Sequence, residues 1–417
     1  MTDVYVIGVG MTPFGRFMDK SVKDLTREAV TDALEDAGVD RDAIGAAWFS
    51  NTTQGVLEGQ HLVPGEIALR EMGFEAIPMT NVENACASAA TAFHGAYLAI
   101  RAGMTDVTLA VGADKMYDED KARSFEIFDG ALDVHKTEET FERLNSIGDG
   151  VTPPDGTVIP NAKRSPFMDV YANWAKFHMK TFGTEQKHLA AVASKNHYHS
   201  TLNDRAQYRN DVSMDEVLES RLISWPLTLP MCSPISDGGA AAILCSEEAL
   251  ERLGVDRSRA VKVSACVLGT SVNREPEEYQ KHLTHLAANR AYEQAGLTAD
   301  DMDVAEVHDA TAFGEIQQSE NLGLCAFGDG GPAALRGETR IGGRIPINPS
   351  GGLESKGHPI GATGLGQTYE LVTQLRGEAG GRQVENARHA ISENGGGVYG
   401  IEESVCCITI LSRDEAA

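Results

Sequence analysis

Basic residues are scarce in this chain. Its 417 residues include 36 lysines and arginines against 61 aspartates and glutamates, a net charge of −25. So acidic a surface repels nucleic acid and anionic membranes, and neither is expected as a partner. Long apolar runs are also missing. No stretch of 18 or more apolar residues occurs, so no transmembrane helix is expected. Met1-Thr2-Asp3 opens no basic-then-apolar stretch, and the last residues are not a Ser-Lys-Leu address, so neither secretion nor a peroxisome is expected. Seven cysteines with no Cys-x-x-Cys spacing fit a reducing cytoplasm. Gly8-Val9-Gly10-Met11-Thr12-Pro13 has proline where a dinucleotide fingerprint needs its last glycine, and there is no Walker loop. His282 and His285 could share a helix face but have no further ligands near them in the sequence, so no metal site is expected.

What is present is a large apolar complement, 42% of residues, enough for a substantial core in two or three domains. Residues 4–10 predict a buried strand, and 21–37 an amphipathic helix stopped by Gly38. A strand at 46–50 follows. Residues 80–84 lead into Cys86, an apolar helix over 87–102 ends at Gly103, and a strand at 107–111 closes the unit. Strands alternating with helices argue for an α/β sandwich with a largely buried sheet. Ala29, Ala33, Glu35, Ala37, Gly38, Asp42 and Ala47 recur 258 residues later, 7 matches in 22 positions. Two unrelated alanine-rich helices could give the same matches. However, the second half also has its own turn at His358, an apolar helix over 360–375 and a closing strand at 405–411. Two equivalent α/β halves are therefore expected, with His358 near the place that Cys86 takes in the first. Residues 115–231 read differently. They are polar, helical and rich in histidine and aromatics, as in Tyr171-Ala172-Asn173-Trp174, and form an insertion expected to cover the active site.

Three stretches carry the chemistry. Cys86 lies in Asn84-Ala85-Cys86-Ala87-Ser88, just before a helix, where unpaired N–H groups and the helix dipole would stabilise a thiolate. Small neighbours leave room for a substrate. The other six cysteines read as packing. His358, in Gly357-His358-Pro359, is aimed by a rigid turn; it can take a proton from a thiol or donate to an oxyanion. His308 ends a strand, where α/β proteins present their sites, with Asp309 beside it either to orient the ring or to cap a helix from Thr311. Gly395-Gly396-Gly397 is either a tight turn or a close backbone approach that completes an oxyanion hole.

With these residues the chain resembles the thiolase superfamily, specifically the sterol carrier protein X type thiolases and their bacterial lipid-transfer-protein relatives. The resemblance runs over essentially the full length. It includes the segment around Cys86, Lys195-Asn196-His197-Tyr198-His199-Ser200, and Met231-Cys232-Ser233-Pro234-Ile235-Ser236-Asp237-Gly238-Gly239-Ala240. It continues through Glu306-Val307-His308-Asp309-Ala310 and residues 348–363. It implies a duplicated thiolase fold: two βαβαβαββ halves in a layered αβαβα sandwich, with a helical loop domain inserted in the first. The corresponding divisions are 1–114 with 232–255, 115–231, and 256–417.

The resemblance also implies an acyl-CoA C-acyltransferase that cleaves or forms 3-oxoacyl-CoA, with coenzyme A as substrate and no bound cofactor. Cys86 would carry the acyl group and His358 would activate it. His308 with His358 would hold one thioester carbonyl, and the N–H groups of Cys86 and Gly395 the other. The insertion would bind the coenzyme A nucleotide, and the protein would be a homodimer or tetramer. One departure stands out. Thiolases use a second, acid/base cysteine, and its two family positions are here Glu393 and Ala310. Glu393, with a raised pKa, is the expected substitute. The loss keeps open a retro-aldolase acting on β-hydroxyacyl-CoA side chains with a small OB-fold, zinc-ribbon partner, and a non-catalytic acyl-CoA or lipid-binding subunit.

Overall fold

The computed structural model describes residues 2–159 and 164–413. Eleven strands run in chain order: β1 Val4–Met11, β2 Ala46–Ser50, β3 Met79–Val82, β4 Val107–Asp114, β5 Leu222–Ser224, β6 Leu227–Thr228, β7 Gly238–Ser246, β8 Val261–Thr270, β9 Val304–Glu306, β10 His389–Gly396 and β11 Val405–Arg413. Nine form one mixed sheet in the order β3-β2-β4-β7-β1-β8-β11-β10-β9, and β5 and β6 form a separate hairpin. The outer pairs β2–β3, β2–β4 and β9–β10 are parallel; the inner pairs are antiparallel. The two halves of the sheet meet only where Tyr5 and Val6 of β1 pair with Lys262 and Val261 of β8.

The layering follows from the two-residue period of the strands. Val4, Val6, Val9 and Met11 of β1 turn inward to a core shared with helices Ser88–Arg101 and Thr363–Arg376. Tyr5 and Ile7 turn outward to helix Val22–Ala37. In the second half Cys407 and Leu411 of β11 join the central core, while Cys406, Ile408 and Ile410 face helix Leu283–Ala295. Two central helices, two sheet halves and two outer helices give the αβαβα arrangement of the duplicated thiolase fold.

The repeat is visible in the details. Helix Val22–Ala37 starts at a Ser21–Asp24 capping box, and Leu25, Ala29, Ala33 and Ala37 form its buried stripe. It ends at Gly38 with φ 65°, as helix Leu283–Ala295 ends at Gly296 with φ 69°. A short 3-10 turn and a strand follow each, β2 in one case and β9 in the other. The copies differ at the sheet edge. β3 has four residues, while in the second half only Ile347 bridges, to Ala305 of β9.

Among the described residues, five α-helices and the small hairpin lie between β4 and β7. Their core, including Tyr171, Trp174 and Leu189, is shared with Phe313 and Ile316 of helix Ala312–Asn321 in the second half. The segment thus leaves the first half and buries its apolar face on the second.

Gly8 and Gly10 serve packing, not nucleotide binding. A methyl group on Gly10 would meet the Ala29 carbonyl oxygen at 2.1 Å and the Ala33 nitrogen at 2.5 Å. Gly10→Ala is expected to push the outer helix off the sheet at a cost of about 1–3 kcal/mol. A lowered urea midpoint at unchanged m-value checks this.

Candidate active site

Cys86 sits on a tight turn immediately before helix Ser88–Arg101. The preceding Ala85 has φ 48°, in the left-handed region that a residue with a side chain seldom adopts. Ser88 holds the turn: its hydroxyl accepts from the Asn84 N–H at 2.8 Å and donates to the Ala85 carbonyl at 2.6 Å. Gly396 completes the fit, because a methyl group there would meet the nitrogens of Ala87 and Cys86 at 2.6 and 2.8 Å.

His358 comes from the other half. Asp114, fully buried at the end of β4, accepts from Thr52, Thr53 and Asn51 and from the Gly361 N–H at 2.5 Å. Ser50 donates to the Gly361 carbonyl at 2.5 Å. The turn carrying His358 is thereby fastened to the half that carries Cys86. The Thr363 hydroxyl donates to the Pro359 carbonyl at 2.9 Å, so it accepts from His358 Nδ1–H at 2.6 Å. Nε2 of His358 is then the basic nitrogen, an assignment made from the hydrogen-bond network.

His308 follows β9. Its backbone N–H donates to Glu393 at 2.9 Å, and Nδ1 lies 3.5 Å from the Tyr171 hydroxyl. A phenol donating to Nδ1 leaves the proton on Nε2, which is buried with no hydrogen-bond partner among the described residues. Cys86, His308 and His358 bring one donor atom each within 4.8 Å of one another, and the two rings meet edge to face at 5.2 Å. All three line one cavity of about 950 Å³. Among the described residues they are also the grouping spaced to accept a metal ion, for which sulfur and imidazole are suitable donors.

The electrostatics differ from the sequence expectation for the thiol. Burial pushes the half-buried Cys86 up to about 12, and the charges of Glu83 and Asp114 add to it. These outweigh the helix-start effect that would favour a thiolate. Burial lowers His308 to about 4 and His358 well below its ordinary value, the latter with help from His308. The resting site is a neutral thiol beside two neutral imidazoles. His358 is equipped to take the thiol proton as the sulfur attacks, and His308 Nε2–H to donate to a developing oxyanion.

Both histidine turns rest on buried charge. Asn196 donates to Asp309 at 3.1 Å, Glu315 at 3.0 Å and Glu354 at 3.1 Å, while Lys195 pairs with Glu315 at 2.5 Å and donates to the Ile347 carbonyl at 2.6 Å. Asp309 in turn accepts from the Leu353 N–H at 2.8 Å. Lys356 pairs with the buried Glu306 at 3.1 Å. The Lys195–Ser200 motif thus serves positioning: His199 donates Nδ1–H to the Asn348 carbonyl and accepts the Ile341 N–H at Nε2.

The remaining expected residues lie elsewhere. Ala310, one family position of the second cysteine, is on the cavity wall as a methyl group. Glu393 lies behind the wall, accepting from the His308 N–H and the Cys406 thiol. The Gly395 N–H faces that same carboxylate; Gly396 and Gly397 line the cavity, and Gly396 is the one beside Cys86. Sequence reasoning missed Tyr171 and Glu403, both buried and on the cavity wall. Glu402-Glu403 before an apolar strand carries no signal beyond that of an ordinary charged strand end. Cys232, read as packing, also reaches the wall; its thiol donates to the Thr228 carbonyl at 3.4 Å. Arg16 and Arg221 are exposed at the cavity and Arg164 pairs with Asp169 at 2.8 Å, while Glu83, Glu126, Asp133 and Glu403 line it as well.

A two-half sandwich that presents a cysteine and two histidines at one cavity is the architecture of a family built for acyl transfer. The model for the thiolase N-terminal domain matches residues 4–220 and the model for the thiolase C-terminal domain matches residues 269–412. The chain belongs to the thiolase family. It is 38% identical over 414 residues to an acetyl-CoA acetyltransferase of Methanothermobacter thermautotrophicus, covering 99% of this chain and 100% of that one. It is 37% identical to sterol carrier protein 2 of Oryctolagus cuniculus, over 94% of this chain and 69% of the relative. In fold it is similar to a solved structure described as an Ltp2-ChsH2(DUF35) aldolase, with TM-score 0.75 and 21% identity over 99% of this chain and 98% of that one.

Two stability measurements probe the support of the site. Asn196→Ala removes the amide shared by three buried carboxylates and is expected to destabilise by about 3–5 kcal/mol, read from urea unfolding. Glu393 is raised from 4.5 to about 8, chiefly by burial and then by Glu403. Its protonated form contributes stability that is complete below about pH 4.5 and lost as the pH rises through about 8. Glu393→Gln, which keeps an acceptor for the His308 N–H, is therefore expected to unfold at a urea midpoint that falls less than wild type between pH 6 and 9.

Proposed function

We propose that this protein is an acyl-CoA C-acyltransferase that forms or cleaves 3-oxoacyl-CoA through a thioester on Cys86. The carrying observation is the meeting of Cys86, His308 and His358 within 4.8 Å on one cavity wall. The similarity to a named acetyl-CoA acetyltransferase supports it. His358 Nε2 takes the thiol proton and His308 Nε2–H holds the carbonyl oxygen. In this reading the N–H groups of Cys86 and of Gly396 beside it hold the acyl carbonyl, the role expected from the sequence of Cys86 and Gly395. Coenzyme A is substrate in this reading, and Arg16 and Arg221 at the rim suit its phosphates.

The cavity favours acyl groups larger than acetyl. Phe128, Phe167, Met168, Trp174 and Ile223 make much of its wall apolar, and about 950 Å³ exceeds what a two-carbon group fills. Lipid or steroid side-chain metabolism fits such a substrate. Association into a homodimer or tetramer in the cytoplasm belongs to the same reading. The runner-up is the retro-aldolase with an OB-fold, zinc-ribbon partner. It is favoured by the methyl group of Ala310 in place of a thiol and by the likeness to the Ltp2-ChsH2 aldolase.

Intact-mass measurement after incubation with acetyl-CoA and with long-chain acyl- and 3-oxoacyl-CoA esters tests the proposal. Wild type is expected to gain one acyl mass, more completely with the long esters, and Cys86→Ala to gain none. Coenzyme A binding without an adduct from any ester, together with release of a free ketone or aldehyde from a β-hydroxyacyl-CoA, would assign the aldolase instead.

A further inference from the structure

Transfer between two thioesters needs a second proton carrier, and neither family position supplies a thiol here. The carbon next to a thioester carbonyl must be deprotonated for condensation, or its enolate protonated after cleavage. Three other groups can be compared. Glu393 is behind the wall with both oxygens engaged, by the His308 N–H and the Cys406 thiol. Cys232 is on the wall, but its thiol is spent on the Thr228 carbonyl. Glu403 is on the wall, 2% exposed. Its Oε1 accepts from Gln318 Nε2 at 3.0 Å, and Gln318 is itself oriented by accepting from Asn321 at 3.1 Å. Its Oε2 is buried with no hydrogen-bond partner among the described residues, and His282 Nε2 stands 3.5 Å from it.

The backbone makes room for this arrangement. A methyl group on Gly395 would meet Glu393 Oε1 and Glu403 Cγ, each at 3.1 Å, so glycine at 395 lets two carboxylates share that face of β10. Glu403 is also close enough for its charge to disfavour ionisation of both Cys86 and Tyr171.

We propose that Glu403 is the acid/base group that serves the carbon α to the second thioester, the task that a cysteine performs elsewhere in the family. The inference rests on the acyl-transfer reading. In cleavage, the Cys86 sulfur attacks C3 of the 3-oxoacyl-CoA and its proton passes to His358. The C2–C3 bond breaks and its electron pair moves to C2. Protonated Glu403 delivers its proton to C2, releasing acetyl-CoA and leaving acyl-Cys86. The carboxylate then takes the proton of incoming coenzyme A, whose sulfur attacks the acyl carbonyl. The Cys86–acyl bond breaks, and the leaving sulfur recovers its proton from His358. The coenzyme A proton has replaced the one given to C2, and no oxidant or reductant is required. Burial raises the Glu403 carboxyl from 4.5 to about 7, so both forms are available near neutrality.

Exchange of the acetyl-CoA methyl hydrogens with deuterated water isolates the step, with acyl-Cys86 formation followed by mass on the same samples. Wild type is expected to do both. Glu403→Gln is expected to acylate Cys86 and to lose exchange by about 100-fold or more. Glu403→Asp is expected to acylate and to retain part of the exchange, and Cys232→Ala to leave exchange within a few-fold of wild type. Exchange at the wild-type rate in Glu403→Gln overturns the proposal, as does its loss in Cys232→Ala alone. A wild type that acylates but exchanges no hydrogen overturns it too. Loss of acylation in both Glu403 variants assigns the residue a structural part instead. If wild type forms no acyl-Cys86, the acyl-transfer reading itself has failed, which is a separate result.

Discussion

The site depends on a cluster of buried charge that sits beside it. Asp309, Glu315 and Glu354 converge on one amide, that of Asn196, with a single lysine, Lys195, among them. Burial and the charge of Glu315 push Asp309 well above the ordinary carboxylate range, and burial with Asp309 does the same to Glu354. Such a group of acids is costly to bury, and its hydrogen bonds offset only part of that cost, since Glu354 Oε2 and Asn196 Oδ1 have no partner among the described residues. The bonds that are made fix three segments at once: the helix Gln186–Ser200, the turn after β9 that bears His308, and the turn before His358. The imidazoles are thus located by ionic and polar bonds to rigid elements, as a site that must hold a donor and a base a few ångströms apart requires.

This rigidity suits a site that keeps its groups neutral. A thiol raised to about 12, beside a His308 imidazole lowered to about 4 and a His358 imidazole held well below its ordinary value, does not rest as an ion pair. Charge appears only as the sulfur attacks, when His358 becomes cationic and the carbonyl oxygen anionic. The charges of neighbouring Asp114 and Glu403 oppose a resting thiolate. A resting thiol is also protected against adventitious oxidation, which follows thiolate character. The apolar cavity extends the same logic, since poor solvation strengthens the pre-aimed donors.

Much of this was legible in the sequence, and the reason is local. Helix Val22–Ala37 writes its own cap, stripe and stop into Ser21, Leu25–Ala37 and Gly38, and its copy 258 residues on repeats the stop. Cys86 before an alanine-rich helix is fixed by bonds within a few residues, and His358, between glycine and proline, is held locally to Thr363 while its turn is also gripped from the first half. What was not legible depends on distant neighbours. Lys195-Asn196 looks like a surface pair in a polar helix, yet it is buried because its partners lie more than 100 positions away. Glu393 stands in the family's cysteine position, but the strand register sends its carboxylate to the His308 N–H. Glu403, ten positions later and across the same hairpin, is the carboxylate on the cavity wall.

The glycine run shows how one short sequence can answer several demands. Gly395 admits Glu403 beside Glu393, Gly396 admits the backbone of the Cys86 turn, and Gly397, with φ 63°, turns the chain out of β10. A side chain at any of the three would disturb a different part of the site. The same economy governs the duplication. Two copies of one α/β unit face each other across paired central helices, and each offers a turn at the start of its helix. In the first copy that turn holds a thiol; in the second it is preceded by His358. Asp114 and Ser50 of the first copy grip Gly361 of the second, so the two turns cannot separate without unmaking two buried bonds, and Asp114 is itself held by Asn51, Thr52 and Thr53. The chemistry arises where the copies differ, and the frame in which they agree holds those differences within reach of one substrate.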